Sequence, residues 1–402
     1  MTVDRKTIRY MTETIPTAVL KRIRQAADWI VDAKKKGKKV VAVVGSGPNL
    51  HEGVTTLIAE LIHKEIIDGV TTSSAVINHE MGGTLEKVKR IKGIEIGLAE
   101  NDLPADGYIE ASIIPDDLLV KYSAINEIDM MHYKNMLDAD GDIIIKVAGN
   151  IAYPSGLYTE LISRHILEMA KEQNKTFELI AGKGADPMTM IGAGALKDIP
   201  VLVSVPQLVG GGEVGLSVGD SIPVSERSLK VAQILDSADV IIESAIALTQ
   251  EIHDGPFETY TGHGIWQRWN GNWTFSLKEK KVIRIDMDPN LEKVWSRERK
   301  SRSVSDAVNK GLPKTKNLNV PFRMEMSGFT RIPGSLPLIL DIGICWPVMA
   351  TMVADSLGIS LDFMCYKQSM TEGMNIREWI VNNVKPVDME EIMKNSGKLL
   401  TI

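Results

Sequence analysis

The spacing of apolar residues alternates along the chain between the period of a helix and the short continuous runs of buried strands. Residues 17–35 carry an apolar stripe at helical spacing, formed by Leu20, Ile23, Ala27, Ile30 and Val31, which predicts a helix. Runs typical of strands lie at 40–44, 69–72, 108–114, 143–147, 177–182, 201–205, 240–243, 282–286 and 336–341. Helical stretches at 157–171, 225–235 and 347–357 separate several of these runs.

Strands that alternate with helices predict an α/β fold with a doubly wound, Rossmann-like parallel sheet that is covered on both faces. We expect an N-terminal helical arm at 1–38 and a nucleotide-binding α/β domain at 39–360. A polar and basic stretch near 290–335 predicts a surface insertion in that domain. Residues 361–402 hold one helical pattern and too few apolar residues for a core of their own, so we expect a C-terminal helical tail.

Composition narrows the classes of function. The chain has 402 residues, a formal net charge of −6 and two cysteines, Cys345 and Cys365. The negative charge disfavours a nucleic-acid partner, since such proteins usually present a basic face. No apolar run approaches the ~18–20 residues of a membrane span, and the start of the chain lacks an apolar signal core. Two cysteines cannot supply a disulfide framework, so we expect a cytoplasmic protein without a membrane partner.

A candidate dinucleotide site follows the strand at 40–44. This strand ends in a glycine turn and precedes a helical pattern and a second strand, which is the order of a βαβ unit. Backbone N–H groups and a helix N-terminus face phosphates at such a turn. The residues expected to face the cofactor are Gly45, Ser46, Gly47, Asn49, Thr71, Thr72 and Ser73. The alternatives are a strand-to-helix turn without a ligand and, for the hydroxyls, an N-cap cluster.

Two later strands end in carboxylates. The strand at 282–286 ends at Asp286, and in doubly wound folds an acid at a strand end commonly accepts ribose hydroxyls. Asp288, before a proline, suits a turn instead. The strand at 336–341 ends at Asp341, and Gly343 would let a ligand approach the backbone. Each carboxylate at a strand end has the alternative of only capping a helix.

The glycine-rich turns and the His-acid pairs of the sequence argue against two kinds of site, a P-loop and a metal site. The glycine-rich turns at 182–186 and 210–215 lack the spacing and the terminal Lys-Ser/Thr of a P-loop, so nucleotide hydrolysis is disfavoured. The pairs His79-Glu80 and His253-Asp254 do not have metal-ligand spacing, so we expect no metal site.

Four segments resemble known NAD-binding proteins. The blocks GSGPNLHEGVTTLIAELIHKEIIDGVTTSSAVINHEM, KDIPVLVSVPQLVGGGEVG and LPLILDIGICWPVMATMVADSLG resemble segments of deoxyhypusine synthases. Together with VIRIDMDPNLEKVW, they also resemble the C-terminal NAD-binding domain of the archaeal-type ornithine cyclodeaminases. The resemblance covers about residues 17–360. The chain departs from the synthases at residues 326–332, where their covalent lysine would lie and this sequence has none.

The resemblance implies NAD as an internal hydride relay, in which the hydride taken from a carbon bearing nitrogen is later returned. Carried over by position, Ser46, Asn49, Thr71 and Thr72 face the cofactor. By the same carry-over, the resemblance places Asp286 at the adenosine ribose and Asp341 at the nicotinamide half of the cofactor. The related families form dimers or tetramers, so we expect a homo-oligomer.

The substrate pocket is expected beside Asp341 and Gly343, where a hydride must travel about 3–3.5 Å. Carboxylates for a cationic amine, a histidine for proton transfer and an aromatic ring for cation–π packing could reach it from two loops. The catalytic candidates are Glu213, His253, Asp254 and Asp341. The substrate-binding candidates are Glu251, His263 and Trp266, in a loop that could instead be a surface flap.

The resemblance implies an NAD-dependent lyase or transferase that acts on an amino acid or polyamine-like amine by deamination, cyclisation or amine transfer. Two alternatives stay open. One is a non-catalytic protein that binds or senses NAD, and the other is a dehydrogenase with net NAD turnover.

Overall fold

The computed structural model describes residues 3–45, 47–149, 151–205, 211–245, 279–312, 314–320 and 334–397. Its centre is a six-stranded parallel sheet with the strand order β6-β2-β1-β7-β8-β9. The strands are β1 (Lys39–Val44), β2 (Gly69–Ser73), β6 (Val201–Val205), β7 (Ala238–Ser244), β8 (Lys281–Asp286) and β9 (Ser335–Ile339). Counted along this sheet alone, the order is 3-2-1-4-5-6, that of the doubly wound dinucleotide-binding fold. The predicted α/β class is confirmed.

Helices cover both faces of this sheet. The helices of the described residues that precede β6 in the chain are α1 (Arg5–Thr14), α2 (Thr17–Lys35), α3 (Pro48–His51), α4 (Val54–His63), α5 (Ser74–Met81), α6 (Asp116–Ile125), α7 (Met130–Asp138), α8 (Ser155–Gln173), α9 (Phe177–Gly182) and α10 (Met190–Lys197). Those after it are α11 (Gly212–Ser221), α12 (Val224–Ser237), α13 (Pro289–Lys300), α14 (Ser303–Asn309), α15 (Lys314–Leu318), α16 (Ile342–Leu357), α17 (Thr371–Asn383) and α18 (Met389–Asn395).

Strand β1 shows why its sequence is a continuous apolar run. Val40, Ala42 and Val44 pack into the core that contains α2 and α16. Val41 and Val43 point to the opposite face and pack with residues of α12. A central parallel strand is buried on both faces, so polar residues do not alternate along it.

A second sheet lies between α5 and α8 in the chain. It is antiparallel, with the order β4-β3-β5, and its strands are β3 (Leu85–Lys92), β4 (Tyr108–Ser112) and β5 (Gly141–Val147). The runs at 108–114 and 143–147 are therefore strands, as predicted, but they belong to this sheet. Its hydrogen bonding places Glu86, Arg90, Glu110 and Lys146 on one face.

The strand predicted at 177–182 is wrong, because these residues form helix α9. The hydroxyl of Thr176 accepts a hydrogen bond from the backbone N–H of Leu179 at 3.3 Å and begins the helix. Phe177, Ile180 and Ala181 are buried at helical spacing. A six-residue apolar run is too short for periodicity to separate a strand from a helix.

Both ends of the described chain contribute to the main core. Helix α2 buries Ile23, Ala26 and Ile30 and packs against α16. Residues 363–366 are buried in the same core, and α17 adds Ile376 and Ile380. None of the helices in the described part of the chain combines the length and the apolar content that crossing a bilayer requires.

The outer edge of β6 is covered by an ion pair in place of another strand. The backbone N–H of Val203 donates to Oε1 of Glu178 at 2.8 Å, and Nη1 of Arg227 donates to the Val203 carbonyl at 3.1 Å. Glu178 and Arg227 are fully buried and lie 2.5 Å apart. The pair thus gives Val203 the acceptor and the donor that a neighbouring strand would supply.

Candidate functional site

The strand order reverses direction between β1 and β7, and parallel sheets bind ligands at the carboxyl ends of such strands. Gly45 follows β1 there, and its backbone N–H donates to the carbonyl of Ser244 at 2.9 Å. A Cβ atom at Gly45 would lie 3.0 Å from the carbonyl carbon of Ala245 and would overlap its oxygen. Glycine is therefore required at position 45 for the close approach of two backbone segments.

Gly47 has a different role in the same turn. Its φ of +39° lies in the left-handed region, and a Cβ built on it would meet no described atom within 4 Å. Among the described residues, therefore, no side chain fills the space beside this turn, on the edge where a phosphate is expected. Ser46, between the two glycines, lies outside the described residues.

Asn49 is fully buried, and its amide is occupied by protein groups. Nδ2 donates to the carbonyls of Gly45 and Ser244, both at 3.1 Å. Oδ1 accepts a hydrogen bond from the Ser244 hydroxyl at 2.6 Å, and that hydroxyl accepts one from Nε1 of Trp346 at 2.8 Å. Asn49 therefore joins β1, β7 and α16, and we correct its expected cofactor contact to a role in positioning the turn.

The hydroxyls at the end of β2 are also engaged within the protein. Thr72 donates to the carbonyl of Val44 at 3.0 Å, and the hydroxyl of Ser73 accepts from the N–H of Val76 at 3.4 Å. Ser73 thus caps α5, which was the alternative for this cluster. The hydroxyl of Thr71 is buried without a hydrogen bond to the described residues.

The two carboxylates at strand ends face different surroundings. Asp286 accepts a hydrogen bond from the backbone N–H of Asp288 at 2.8 Å. Asp288, for which a turn was expected, is the N-cap of α13. The ribose acid of the doubly wound fold follows the strand after the glycine turn. That strand is β2, whereas β8 lies in the other half of the sheet. The expected contact of Asp286 with the adenosine ribose is therefore not supported by this placement.

Glu213 and Asp341 are not brought together. Glu213 begins α11 after β6, at one edge of the sheet, and its carboxylate lies 3.2 Å from Nε of Arg164. Asp341 follows β9 at the opposite edge, five strand spacings or about 24 Å away. A shared pocket is therefore wrong, because the crossovers send β6 and β9 to opposite edges. The other pocket candidates, Glu251, His253, Asp254, His263 and Trp266, lie outside the described residues.

Asp341 lies instead beside Glu52, which the sequence analysis missed. Asp341 accepts from the N–H of Gly343 at 2.9 Å, caps α16 and lies 3.4 Å from Nζ of Lys367. Glu52 accepts a hydrogen bond from the backbone N–H of Gln368. The pKa of Glu52 is raised to about 7. Burial is the largest cause and the nearby Asp341 carboxylate adds to it, while the hydrogen bond from Gln368 and the charge of Lys367 oppose the rise.

Gly343 accommodates Glu52 rather than an expected ligand. A Cβ atom at this position would lie 2.6 Å from the Cα of Lys367 and 3.0 Å from Cδ of Glu52. The space that the glycine leaves open is therefore filled by the protein itself. The predicted role of Gly343 in ligand approach is corrected accordingly.

A second group of titratable side chains lies where α3 and α5 meet the end of β5. Nδ1 of His79 lies 2.8 Å from the carbonyl oxygen of Ala148. Burial lowers the pKa of His79 to about 4, and the charges of His51 and Lys146 act in the same direction. Burial also lowers the pKa of His51, together with the charges of Arg377 and Lys146. Both imidazoles are therefore neutral near pH 7.

The small sheet supplies the neighbouring charges. Glu86 accepts from the Ser112 hydroxyl at 2.8 Å and from the N–H of Gly149 at 3.1 Å, and burial raises its pKa to about 7. Lys146 pairs with Glu110. Arg377 of α17 donates to the carbonyl of Ile145. The sequence signal for this group was the pair His79-Glu80, which was considered only as a metal site, and His51 and Glu52 were not singled out.

Two further features help to locate the site. No set of His, Cys, Asp and Glu side chains in the described ranges could hold a metal ion.

A cavity of about 420 Å³ is lined by residues that include Lys39, Asp68 and Val201, near the amino ends of β1, β2 and β6. Parallel sheets bind ligands at the opposite, carboxyl ends, so we do not assign the site to this cavity.

No protein-family model and no curated protein matches the chain. A conserved putative LOR/SDH protein from Methanococcus maripaludis S2 matches at 11% identity and a TM-score of 0.41, over 86% of this chain and 72% of that chain. AgrE in a ternary complex with ornithine and NAD+ matches at 12% identity and a TM-score of 0.41, over 84% of this chain and 33% of that chain. ArgZ, an arginine dihydrolase from the ornithine-ammonia cycle in cyanobacteria, matches at 10% identity and a TM-score of 0.39, over 85% and 32%. The chain thus spans about a third of AgrE and of ArgZ, and such likeness assigns neither a family nor an activity.

Proposed function

We propose that the chain binds NAD at the turn between β1 and α3 and uses it as an internal hydride relay on an amino acid or polyamine-like amine. One observation carries the proposal. No described atom lies within 4 Å of a Cβ built on Gly47, which follows the carboxyl end of β1 in a parallel sheet with the strand order of dinucleotide-binding folds. The resemblance to deoxyhypusine synthases and ornithine cyclodeaminases supplies the reaction type, and the lyase or transferase class is part of the proposal.

The residues at this edge fit a dinucleotide. Gly45 and Asn49 fix the backbone of the turn from both sides, so its N–H groups need little reorganisation when a phosphate binds. NAD, when bound, accepts a hydride from the substrate and returns it. Glu52 lies near the ends of β1 and β9, and its raised pKa suits proton transfer near neutral pH.

Two other functions compete with the relay. A sensor would bind NAD without turning over any amine, and a dehydrogenase would accumulate NADH in proportion to the substrate consumed. A relay predicts a transient nicotinamide absorbance followed by its return, with a changed amine as the product. Stopped-flow absorbance with a panel of amino acids and diamines, followed by mass spectrometry of the products, separates the three functions.

The cofactor site is tested first, because the relay depends on it. Calorimetry should show NAD binding to the wild type and at least about tenfold weaker binding to Gly47→Val, whose side chain fills the open space and disfavours the positive φ. Gly37→Val is the matched control, because Gly37 also has a positive φ and open surroundings but lies before β1. Equal NAD affinity of the wild type and Gly47→Val would contradict the site.

A further inference from the structure

Val201 belongs to the outer edge strand β6, and its backbone groups have no partner in the described part of the chain. The ladder with β2 passes through its neighbours, since the carbonyl of Pro200 accepts from the N–H of Val70 at 2.8 Å. Successive residues of a strand direct their backbone groups to opposite sides, so Val201 and Val203 both face outward. The buried ion pair on this edge satisfies the groups of Val203. No described residue donates to or accepts from the backbone of Val201.

Val201 also lies in the wall of the cavity of about 420 Å³ near the amino ends of β1, β2 and β6. Small-molecule sites usually have volumes of about 300–1,000 Å³. The side chain of Val201 faces α10, because a Cβ atom at Gly194 would lie 2.5 Å from its Cγ2. Leu179 of α9 and Ile191 of α10 line the same side of the cavity, and residues of α12 line the opposite side. The cavity therefore combines an apolar wall with the free backbone edge of one residue.

Glu178 lines this cavity on the side of Val203. Its Oε1 accepts from the N–H of Val203 at 2.8 Å, while its Oε2 is buried and makes no hydrogen bond to a described residue. Along the strand edge, the carbonyl of Val201 is the neighbour of the Val203 N–H and hence of this carboxylate. Two acceptors, the Val201 carbonyl and Oε2 of Glu178, are therefore neighbours at this end. The donor, the N–H of Val201, lies farther toward the amino end of β6.

The charges that line the cavity are balanced. Three of the five charged lining residues form ion pairs within the protein, and these are Asp68 with Lys34, Glu178 with Arg227 and Lys230 with Glu226. The other two, Lys39 and Asp198, have opposite signs and form no ion pair with a described residue. A ligand with both charges and no net charge fits such surroundings better than an ion of one sign.

We propose that this cavity binds a free α-amino acid with an apolar side chain and the L configuration. The ammonium group donates to the Val201 carbonyl and to Oε2 of Glu178, and the carboxylate accepts from the Val201 N–H. The ligand thus exchanges two hydrogen bonds with Val201, as one residue of an antiparallel strand would. Side chains of residues that lie opposite each other share one face of a sheet. The side chain of an L-amino acid therefore lies beside Leu179 and Ile191.

The edge of β6 offers room for one residue and no more. Glu178 and Arg227 occupy the backbone groups of Val203 on one side of Val201. On the other side, the N–H of Ile199 already donates to the carbonyl of Gly194 at 2.9 Å. A longer strand therefore cannot pair here, whereas a single amino acid can.

The inference goes beyond the proposed function and does not depend on it. The cavity lies at the amino end of β1, and the turn at Gly45 follows its carboxyl end. Six residues at about 3.3 Å each place the two sites about 20 Å apart. An amino acid bound in the cavity is therefore an effector and not the molecule that would meet the cofactor.

Calorimetry with the full-length protein tests the ligand class. L-Leucine should bind, and D-leucine should bind at least about tenfold more weakly, because its side chain would point toward Lys230 and Gln233 of α12. N-Acetyl-L-leucine lacks the ammonium group and L-leucinamide lacks the carboxylate, so each should also bind at least about tenfold more weakly. L-Leucinamide has a further use, because it stands for the amino terminus of a peptide, the other source of the same chemistry.

Two measurements locate the ligand in the cavity. Leu179→Ala removes part of the apolar wall and should weaken L-leucine binding about tenfold. Leu196→Ala is the matched control and should bind like the wild type, because Leu196 is 68% exposed on α10 and does not line the cavity. In wild-type protein with nitrogen-labelled valine, L-leucine should shift the amide signal of Val201 and leave that of Val282 on β8 unchanged. This second measurement needs no variant that might fail to fold.

Four results would overturn the inference. They are no binding of L-leucine, L-isoleucine or L-valine, equal affinity for L- and D-leucine, an unchanged Val201 amide signal, and binding of L-leucinamide as tight as that of L-leucine. The last result would assign the cavity to the amino terminus of a peptide instead of a free amino acid. Failure of the wild type to bind NAD would contradict the proposed function and leave this inference standing, because the titrations need no cofactor.

Discussion

The carboxylate of Glu52 occupies the space that a Cβ atom at Gly343 would need, although 291 positions (343 − 52) separate the two residues in the chain. The first follows the β1 turn and the second begins α16, so their contact joins the two halves of the sheet at its carboxyl edge. Gly343 is a glycine because a side chain there would overlap Glu52 and the backbone at Lys367.

Gly343→Ala is therefore expected to destabilise the protein by about 1–3 kcal/mol, the usual effect of overpacking a close contact. The free energy of unfolding should be measured in urea. Glu52→Ala in the same background should recover part of the loss by removing one of the two clashing groups. An unchanged stability in Gly343→Ala would mean that Glu52 and Lys367 do not lie where the structure places them.

The raised pKa of Glu52 predicts a pH dependence of stability. The folded pKa of about 7 lies above the ordinary value of 4.5, so the native state holds this proton more tightly than the unfolded chain. The resulting stabilisation is fully present below pH 4.5 and is lost as the pH rises through 7. Glu52→Gln cannot ionise, so its stability should fall less than that of the wild type between these values.

The control for this measurement is Glu65→Gln, because Glu65 is exposed and its side chain is 83% accessible. It should follow the wild type at every pH. Identical pH profiles of the wild type and Glu52→Gln would show that Glu52 is not buried as described.

Asn49→Ala is expected to lower the free energy of unfolding by about 1–3 kcal/mol, because the buried carbonyls of Gly45 and Ser244 each lose a donor and the buried Ser244 hydroxyl loses its acceptor. Asn135→Ala, on the exposed face of α7, should have little effect. Urea unfolding gives both values. If Asn49→Ala is as stable as its control, the assigned positioning role is wrong.

Arg227→Met should be among the most damaging single substitutions in the described part of the chain. It leaves Glu178 as a buried charge without its cation, which typically costs about 3–5 kcal/mol. Lys230→Met removes one member of an exposed pair on the same helix and should change stability by less than about 1 kcal/mol. Comparable losses in the two variants would contradict the buried pair.

The sequence predicted the fold well, because strands buried on both faces leave continuous apolar runs between helical patterns. It did not separate the two sheets, since strand direction depends on the crossovers rather than on composition. The site was predicted less well. Gly45 and Gly47 could be identified as site residues from their place after a strand. Glu52 could not, because its environment is created only when α16, which begins beside Gly343, packs against it in the fold. Glu213 and Asp341 were grouped because both follow strands, although strand order places them far apart.

A homo-oligomer remains our expectation for this chain, and light scattering at micromolar concentration tests it. A monomer under those conditions would contradict the expectation. The contact should bury more than the ~1,000 Å² that biological interfaces usually reach.

The ion pair on β6 limits the form that such an assembly can take. A parallel sheet with a free outer strand can continue into the sheet of a second molecule by backbone pairing. At Val203 this pairing would require Glu178 and Arg227 to leave the N–H and carbonyl groups they already satisfy, which would expose two charges that are now buried together. Copies of this chain should therefore associate through side chains, without a sheet that runs from one molecule into the next across β6.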